Sequence, residues 1–461
     1  MSSGHRVSRL AAFICCTLGL FFCGALRSNE IDPATLSLLR DLKPLTDDLA
    51  RYRYLAAAVH KLPDDQRLVA KQLLAATESE LGLYTQAQRD FPIDSRKNYN
   101  DPLPAPGAWQ AVDAVAAIAR MAEGRKLVVI NEAHHDPHTR ELTLALLPRL
   151  RAEGYTYFAA EALGDEDTEL ARRGYPLLTS GSEYLHEPLY GEIVRRALQL
   201  GFVVVPYEAD TSSTAARESG QAKNLYKRVF AEHPDARLFV HAGYAHIDKA
   251  KGRLGKAAPM ATELARLSGI EPLSIEQTQF RQANPRVPHA AYDQLIAMYK
   301  PTGPVVLERR ADAPAAPGAA ATSPYWSADP QLHDVSVILP PDSHTAKEAN
   351  ATSTYAQMGD LLLPYSAGFD EGQRPDWLGL EGERQPFEIN SDLCDKVYPC
   401  LVEALHAKES DQAVAADRFT FLHSGVRSAL YLLPGEYRLR ARDADGKELS
   451  ARAITVSQQG H

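Results

Sequence analysis

The chain has 461 residues, of which 45% are hydrophobic and 24% are charged, and its formal net charge is −9 at pH 7. This composition is typical of a folded globular protein rather than a disordered one, and the length is enough for two or three domains. Because the chain is mildly acidic and has no basic cluster, nothing in it favours nucleic acid or an anionic membrane surface as a partner.

Residues 1–26 are predicted to be an export signal. Arg6 and Arg9 precede an apolar run from Leu10 to Leu26, and the small residue Ala25 lies near the expected cleavage position. We therefore expect an exported protein of the periplasm or cell envelope. The alternative is an uncleaved segment that attaches the protein to the membrane, because the run approaches the minimum length of a membrane span.

The cysteines indicate one disulfide. Cys15, Cys16 and Cys23 lie in the export signal, which leaves Cys394 and Cys400 in the mature chain. Two cysteines six residues apart in an exported protein are expected to pair. No further Cys or His stands near them at ligand spacing, so a zinc site is not expected there.

Residues 30–100 are predicted to form a helical segment. Apolar residues recur at three- and four-residue intervals, first from Leu36 to Leu45 and again from Leu68 to Tyr84. The stretch from Asn100 to Gly107 contains three prolines and predicts a linker.

Residues 107–310 are predicted to form an α/β domain. After a helix near Trp109 to Met121, short apolar runs alternate with amphipathic helical stretches. Such alternation is typical of a mostly parallel sheet with helices on both faces. The predicted strands are Leu127 to Ile130, Tyr155 to Ala160, Phe202 to Pro206, Arg237 to Val240, Pro272 to Ile275 and Val305 to Leu307.

The rest of the chain is predicted to be a linker and a mostly β region. Residues 311–330 are rich in Ala and Pro and lack periodicity, which favours a linker. In residues 331–461, His333 to Leu339 reads as a strand and Asp342 to Tyr355 as a loop. From Phe419 to Val456, alternating residues with Pro-Gly and Asp-Gly turns predict antiparallel hairpins in a small β-sandwich-like module.

Carboxylates and imidazoles follow four of the predicted strands at the point where each strand ends. Because the carboxyl ends of parallel strands meet at one edge of a sheet, we expect these side chains to converge. They are Glu132, His134, His135 and His138 after the first strand, Glu161 after the second, Glu208 and Asp210 after the third, and His241 and His246 after the fourth.

Imidazoles and carboxylates gathered in one cleft predict either a metal site or an acid–base site. A divalent ion such as Zn, Mn or Fe would suit these ligands, and a carboxylate could take a proton from metal-bound water. The leading hypothesis is therefore a metal-dependent hydrolase of a small-molecule or peptide substrate. Its predicted metal ligands are His134, His138, Glu161, His241 and His246. Its predicted catalytic residues are Glu132, His135 and Glu208.

Three alternatives to the hydrolase hypothesis remain: binding of haem or iron, a non-catalytic role in protein contacts, and a purely structural role for the individual residues. Tyr207 and Tyr244 flank the predicted site, and because a tyrosinate can hold haem iron, a haem- or iron-binding envelope protein is the second reading. The third is a non-catalytic envelope protein that uses its helical and β modules for contacts with other proteins. For any single residue the ordinary alternative is structural, since buried Glu usually pairs with Arg and buried His with the backbone.

The order of these residues resembles the superfamily of erythromycin esterases, ChaN-like proteins and Tiki proteins. The resemblance covers about Lys126 to Glu276 and rests on residues 132–134 with His138, on Glu161, and on the run from His241 to His246. It implies an α/β core with a polar cleft at strand ends. Members differ in activity: the esterases hydrolyse a macrolide lactone with a histidine-activated water, Tiki-like proteins are metal-dependent proteases, and ChaN-like proteins bind haem.

The resemblance implies site roles for Glu132, His134 or His135, Glu161 and His246. Asn131 stands where the group has a glycine, so the backbone shape of the turn is not carried over. Read as Glu-x-His, Glu132 pairs with His134, as in the ChaN and Tiki pattern. Read as Glu-x-x-His, it pairs with His135, as in the esterases. The additional His138 favours the first reading.

Overall fold

The computed structural model of the protein describes residues 33–63, 67–92, 102–209, 211, 213–283, 289–313, 323–342, 352–358, 361–367 and 372–458. The predicted export signal, Asp210, residues 100–101 of the first predicted linker, residues 314–322 of the second and residues 343–351 of the predicted loop lie outside these ranges. No helix in the described part of the chain is long and apolar enough to cross a bilayer.

Four helices form the first described part of the chain. They are α1 (Pro33–Leu42), α2 (Asp48–Lys61), α3 (Arg67–Glu80) and α4 (Tyr84–Asp90). The apolar faces of α1, α2 and α3 share one core with C-terminal strands, in which Leu49 and Leu73 lie together with Val402 and Phe421. At Gly82 an added Cβ would lie 2.1 Å from the carbonyl oxygen of Arg418, so the two regions approach closely. The helical segment is therefore packed on the β region and is not an independent unit.

The centre of the molecule is an eight-stranded sheet. Its strands are β1 (Trp109–Asp113), β2 (Leu127–Glu132), β3 (Tyr157–Ala160), β4 (Val203–Val205), β5 (Leu238–Gly243), β6 (Leu273–Phe280), β7 (Val305–Arg309) and β8 (Val335–Ile338). Their order is β1-β7-β8-β6-β2-β5-β3-β4, and β7 runs antiparallel to both of its neighbours. The pairs from β8 to β4 are all parallel. The mostly parallel α/β fold expected from the sequence is confirmed.

Helices cover both faces of this sheet. Those around it are α5 (Ala114–Ala122), α6 (His138–Ala152), α7 (Leu170–Arg173), α8 (Pro188–Gln199), α9 (Thr214–Leu225), α10 (Met260–Ser268) and α11 (Ala290–Tyr299). Successive residues of β2 face opposite cores: Val128 and Ile130 pack on one side, and Leu127 and Val129 on the other. An uninterrupted apolar run is what a strand buried on both faces requires.

Two differences from the sequence prediction affect the central sheet, and residues 352–355, which were predicted to be loop, lie in a C-terminal strand, Thr352–Met358. The helix predicted from Trp109 begins only at Ala114, where Asp113 accepts a hydrogen bond from the backbone of Ala116. The preceding residues form edge strand β1, whose partner β7 starts at Val305. That partner is distant in sequence, so local periodicity carries no sign of it. Likewise β8, which was expected in the C-terminal region, belongs to the central sheet because it pairs with β6 and β7.

The C-terminal region is rich in antiparallel strands, as predicted. They are β9 (Thr352–Met358), β10 (Leu361–Ala367), β11 (Gln385–Asn390), β12 (Cys400–His406), β13 (Asp417–Phe421), β14 (Arg427–Leu432), β15 (Gly435–Arg442) and β16 (Glu448–Val456). Cys394 and Cys400 form the expected disulfide. The β15–β16 hairpin is also present, but Pro434 joins strands of different sheets, since β14 pairs with β11 and β15 with β12.

Candidate functional site

The predicted strand-end residues do lie at one edge of the central sheet. Glu132 ends β2, His241 lies within the neighbouring β5, and Glu161 follows β3 directly. Glu208 follows β4, the next strand along, and His246 lies in the 3-10 turn after β5. Four adjacent parallel strands therefore bring carboxylates and imidazoles together, as the sequence led us to expect.

Glu132 and His134 form the best-defined pair of this edge. Glu132 Oε1 lies 2.8 Å from His134 Nδ1, and Arg140 Nε donates to Glu132 Oε2 at 2.6 Å. Burial alone would raise the pKa of Glu132, but Arg140 together with the His134 and His241 imidazoles holds it well below its usual range. Since an ionised carboxylate only accepts hydrogen bonds, His134 carries its proton on Nδ1.

The structure selects one register of the motif. His135, the alternative partner of Glu132, turns away: its Nδ1 lies 3.1 Å from Tyr244 Oη, and its ring stacks on Phe91 at a centroid distance of 3.5 Å. Asn131 lies inside β2, where Asn131 Nδ2 donates to Glu276 Oε2 at 2.7 Å. The position that the resemblance expected to be glycine is thus ordinary strand backbone.

Arg140 is completely buried and holds this pair in place. Besides Glu132, it donates to Glu187 Oε2 at 2.9 Å and to the backbone carbonyl of His134 at 3.2 Å. Its guanidinium also lies over the ring of Tyr190, 5.0 Å from the centroid. A buried guanidinium between two carboxylates provides the charge compensation that such groups need away from water.

Glu161 forms the second half of the site. Its Oε1 accepts from Arg217 Nη2 at 2.5 Å, and its Oε2 accepts from the backbone N–H of Gly243 at 2.5 Å. Arg217 also donates to Glu208 with two nitrogens. Burial would raise the pKa of Glu161, but His246 and Arg217 outweigh it and hold this pKa well below the usual range.

His246 lies between two carboxylates. Its Nδ1 is 2.9 Å from Glu218 Oε2, and its Nε2 is 3.4 Å from Glu161 Oε1. Burial disfavours charge on this ring, but Glu218 and Glu161 raise the pKa of His246 to about 10. Arg217 Nη1 lies 3.0 Å from Nε2, a contact that only an unprotonated ring accepts. Because the carboxylates around the ring outnumber this one guanidinium, we assign the protonated form.

Gly243 joins the two halves. A Cβ at this position would lie 2.6 Å from His134 Nε2 and 3.2 Å from Glu161 Oε2, so both atoms face the open side of the glycine. His134 Nε2 is buried and has no hydrogen-bond partner among the described residues. The His134 ring is held by a stack on Tyr184 at 4.2 Å. A fixed imidazole thus presents a free ring nitrogen next to a carboxylate.

Other predicted residues are engaged elsewhere. His138 stacks on Trp377 at 5.1 Å, and His241 is bonded through Nδ1 to Thr143 Oγ1 at 3.0 Å. Tyr207 is fully buried and donates its hydroxyl hydrogen to the carbonyl oxygen of His241 at 3.2 Å. The structure therefore does not bring His138 to the other predicted metal ligands, and His241 Nε2 approaches Glu132 only to 3.8 Å.

The strand-end donors do not fit a metal ion. Within the described ranges, the only three His or carboxylate residues that place donor atoms within 4.8 Å of one another are Asp48, Glu80 and His186. This buried group could hold a metal ion, but it lies between the N-terminal helices and the segment before α8. At the strand ends, buried Arg140 and Arg217 already neutralise the carboxylates.

Two members of this group, Asp48 and His186, are also satisfied by protein atoms. His186 Nδ1 lies 2.8 Å from Asp48 Oδ1, and its Nε2 lies 2.8 Å from the carbonyl oxygen of Leu178. Both neighbours are acceptors, so the ring donates from both nitrogens and is protonated. Arg418 Nη1 donates to the other Asp48 oxygen at 2.8 Å. A metal ion would have to displace the His186 proton to bind there.

This protonated ring predicts a loss of stability at alkaline pH. Burial opposes the charge, but Asp48 raises the pKa of His186 to about 9, compared with 6.5 for the free side chain. The contribution is therefore complete below pH 6.5 and disappears as the pH rises through 9. We expect the free energy of unfolding in urea to fall by at most about 3 kcal/mol over this interval.

The matched variants are His186→Gln, which cannot titrate, and His60→Gln, which changes an exposed histidine of α2. The pH dependence between 6.5 and 9 should flatten in the first variant and persist in the second. An unchanged slope in His186→Gln would contradict the assignment. Glu80, whose pKa burial and Asp48 raise to about 8, adds a residual loss of the same sign.

Sequence reasoning missed the residues that surround the predicted ones. Arg140 and Glu187 support Glu132, while Arg217 and Glu218 support Glu161 and His246. A weak signal existed for Arg217 and Glu218, because both stand on the helix that follows Glu208. Charged residues on helices usually face solvent, so the sequence alone could not single them out.

No protein-family model matches the chain, and no match to a curated protein reaches significance. Among solved structures, the type III effector HopBA1 is similar at 14% identity and a TM-score of 0.27, covering 38% of this chain and 89% of that one. A structure described as bacterial protein toxins is similar at 17% identity and a TM-score of 0.29, covering 51% and 56%.

The MARTX toxin effector domain RRSP from Vibrio vulnificus is similar at 17% identity and a TM-score of 0.27, covering 60% of this chain and 63% of that one. The chain thus spans less than two thirds of the length of two of these three structures. At these TM-scores the likeness assigns no activity. The resemblance to the esterase, ChaN and Tiki group stays a prediction.

Proposed function

We propose that the protein is a hydrolase in which His134 activates a water molecule. One observation carries this proposal: His134 Nδ1 is fixed on Glu132 at 2.8 Å, while Nε2 is left without a hydrogen-bond partner among the described residues and faces Glu161. A histidine oriented by a carboxylate, with its other nitrogen free of hydrogen bonds to protein atoms, is the arrangement of a general base. The ion-paired carboxylates give no support for the metal dependence expected from the sequence.

The substrate in this proposal contains an ester, lactone or amide carbonyl. His134 Nε2 takes a proton from water, whose oxygen forms a bond to the carbonyl carbon. When the tetrahedral intermediate collapses, the bond to the leaving oxygen or nitrogen breaks, and His134 returns the proton to that atom. Glu132 stabilises the imidazolium that exists between these steps.

The positive groups beside Glu161 have a complementary role. Arg217 and the protonated ring of His246 both lie against Glu161, where they offset its negative charge. Glu208 holds Arg217 through two hydrogen bonds, so it positions that charge. In this proposal Glu208 is a positioning residue and does not exchange protons.

No observation favours the haem alternative. The hydroxyl of Tyr207 donates to a backbone carbonyl in the core, and the hydroxyl of Tyr244 lies 3.1 Å from His135 Nδ1.

For location, we infer export to the periplasm or cell envelope. The Cys394–Cys400 disulfide supports this inference, because such bonds persist mainly in oxidising compartments.

His134→Ala and Glu132→Gln should lower turnover by at least about 100-fold, because each removes the oriented base. The assay uses p-nitrophenyl acetate, a macrolide lactone and a peptide mixture as probes on the purified mature chain. His60→Gln should retain full activity. Circular dichroism shows whether each variant keeps its fold.

The same assay separates the metal-independent mechanism from its alternative. Turnover that persists in EDTA supports the proposed base, whereas turnover abolished by EDTA and restored by Zn²⁺ would contradict it. Unchanged turnover in His134→Ala would also contradict the proposal.

A further inference from the structure

A chain of buried hydrogen bonds runs from the N-terminal helices to His134. Tyr84 Oη donates to Glu187 Oε1 at 2.9 Å, and Arg140 Nη1 donates to the other oxygen of Glu187 at 2.9 Å. Arg140 then donates to Glu132, the carboxylate that orients His134. Tyr84 is 2% exposed, and Glu187 and Arg140 are fully buried.

The positions of Tyr84 and Glu187 in this series of hydrogen bonds are determined by their local sequence. Tyr84 is the first residue of α4, directly after Gly82 and Leu83 at the turn from α3. Glu187 precedes Pro188 at the start of α8, where its carboxylate also accepts from the backbone N–H of Tyr190 at 3.1 Å. A helix start with proline at its first position has little freedom, so the Glu187 carboxylate is held towards Arg140.

The charges of this chain bear directly on His134. Glu187 and Glu132 carry two negative charges, and Arg140 carries one positive charge. The net charge of −1 in a buried setting stabilises the imidazolium that His134 becomes when it takes a proton. Without Glu187, Arg140 would neutralise Glu132 alone, and this stabilisation would weaken. Tyr84 in turn donates a hydrogen bond to Glu187 Oε1, the oxygen to which Arg140 does not donate.

We infer that Glu187 and Tyr84 are positioning residues for His134, so that the N-terminal helices complete the site of the α/β domain. This inference rests on the proposed function for its catalytic meaning. Its structural content is independent, since it concerns how firmly the His134 Nδ1 proton is held. Neither residue touches the free Nε2 side of His134; both act through Arg140 and Glu132.

The hydroxyl of Tyr84 can be removed without disturbing its ring. The ring packs against Trp377 at a centroid distance of 5.5 Å and lies 5.2 Å from the guanidinium carbon of Arg374. Tyr84→Phe keeps both contacts and deletes the hydrogen bond to Glu187. Tyr155→Phe is the matched control, because Tyr155 is also fully buried and its hydroxyl lies within hydrogen-bond distance of the backbone carbonyl oxygens of Ala122 and Arg125.

The experiment measures exchange of the His134 Nδ1 proton with solvent, by ¹H–¹⁵N NMR of the imidazole groups in the full mature chain. The proton is buried and bonded to Glu132, so it exchanges through local opening. We expect exchange to be at least about tenfold faster in Tyr84→Phe and Glu187→Gln, and unchanged in Tyr155→Phe. In the hydrolysis assay, Tyr84→Phe and Glu187→Gln should each lower kcat with little change in KM.

The outcomes are distinct. Wild-type exchange rates in Tyr84→Phe would overturn the inference, and so would equal acceleration in Tyr155→Phe, because a general loss of stability would then explain both. Should Glu187→Gln fail to fold, Tyr84→Phe still decides the question. Failure of the proposed function appears instead as full turnover in His134→Ala, and it leaves the exchange result valid as a test of the hydrogen-bond chain.

Discussion

Gly243→Ala should abolish hydrolysis while leaving the protein folded. The backbone of Gly243 has φ −76° and ψ 139°, which alanine adopts without strain. Its methyl group, however, would lie 2.5 Å from His134 Cε1 and 2.6 Å from Nε2, well inside van der Waals contact. The imidazole must therefore move away from residue 243, and the Glu132–His134 bond must lengthen or break.

We expect turnover to fall by at least about 100-fold and the free energy of unfolding by about 1–3 kcal/mol. Gly252→Ala is the control in the same domain, because nothing lies within 4 Å of a Cβ at that position. Turnover of Gly243→Ala within twofold of the wild type would show that the His134 position is irrelevant to the chemistry. A crystal structure of the variant would show where the ring has moved.

Removing Arg140 should produce the largest loss of stability. Arg140→Met leaves Glu132 and Glu187 buried without their shared guanidinium, at 2% and 0% exposure. Breaking one partner of a buried ion pair costs about 3–5 kcal/mol. Thermal or urea unfolding of the variant should show a loss of this size, and at the upper end the chain would not accumulate in folded form.

The same reasoning predicts that further substitutions restore the stability lost in Arg140→Met. In the triple variant Arg140→Met, Glu132→Gln and Glu187→Gln, no buried charge is left without compensation, so most of the lost stability should return. Turnover should not return, because the oriented base is absent. Equal instability of the single and triple variants would show that Arg140 contributes by packing, for example on Tyr190, rather than by charge.

The parts of the fold that depend on local pattern were predictable from the sequence. The apolar run from Leu127 to Ile130, which is followed by a turn that carries carboxylate and histidine residues, is a buried parallel strand in the structure. The hairpin around Gly446 and the Cys394–Cys400 disulfide were equally visible. Each of these features is encoded within a dozen residues, by periodicity, turn chemistry or cysteine spacing.

What the sequence could not reveal depends on partners distant along the chain. Edge strand β1 owes its conformation to β7, and the Pro434–Gly435 segment crosses between sheets because β14 and β15 have different neighbours. A proline–glycine pair indicates a change of direction. It does not indicate whether the two strands that flank it will pair with each other.

The candidate site shows the same contrast between features encoded locally and features that depend on distant parts of the chain. Glu132, Glu161 and His246 were predictable because each follows a strand, and parallel strands share an edge. The direction of a side chain within a turn was not predictable: His134 faces the edge, whereas His138 turns to Trp377. The guanidinium groups of Arg140 and Arg217, which pair with Glu132 and Glu161, come from helices, where charged residues usually face solvent.

The ion pair between Asp48 and Arg418 joins residues 370 positions apart in the chain. A growing polypeptide exposes α2 long before it contains β13, so Asp48 can pair with Arg418 only when nearly all of the protein has been synthesised. Contacts of such sequence separation make folding slow. The N-terminal helices thus gain their full set of contacts only after the C-terminal strands have been synthesised.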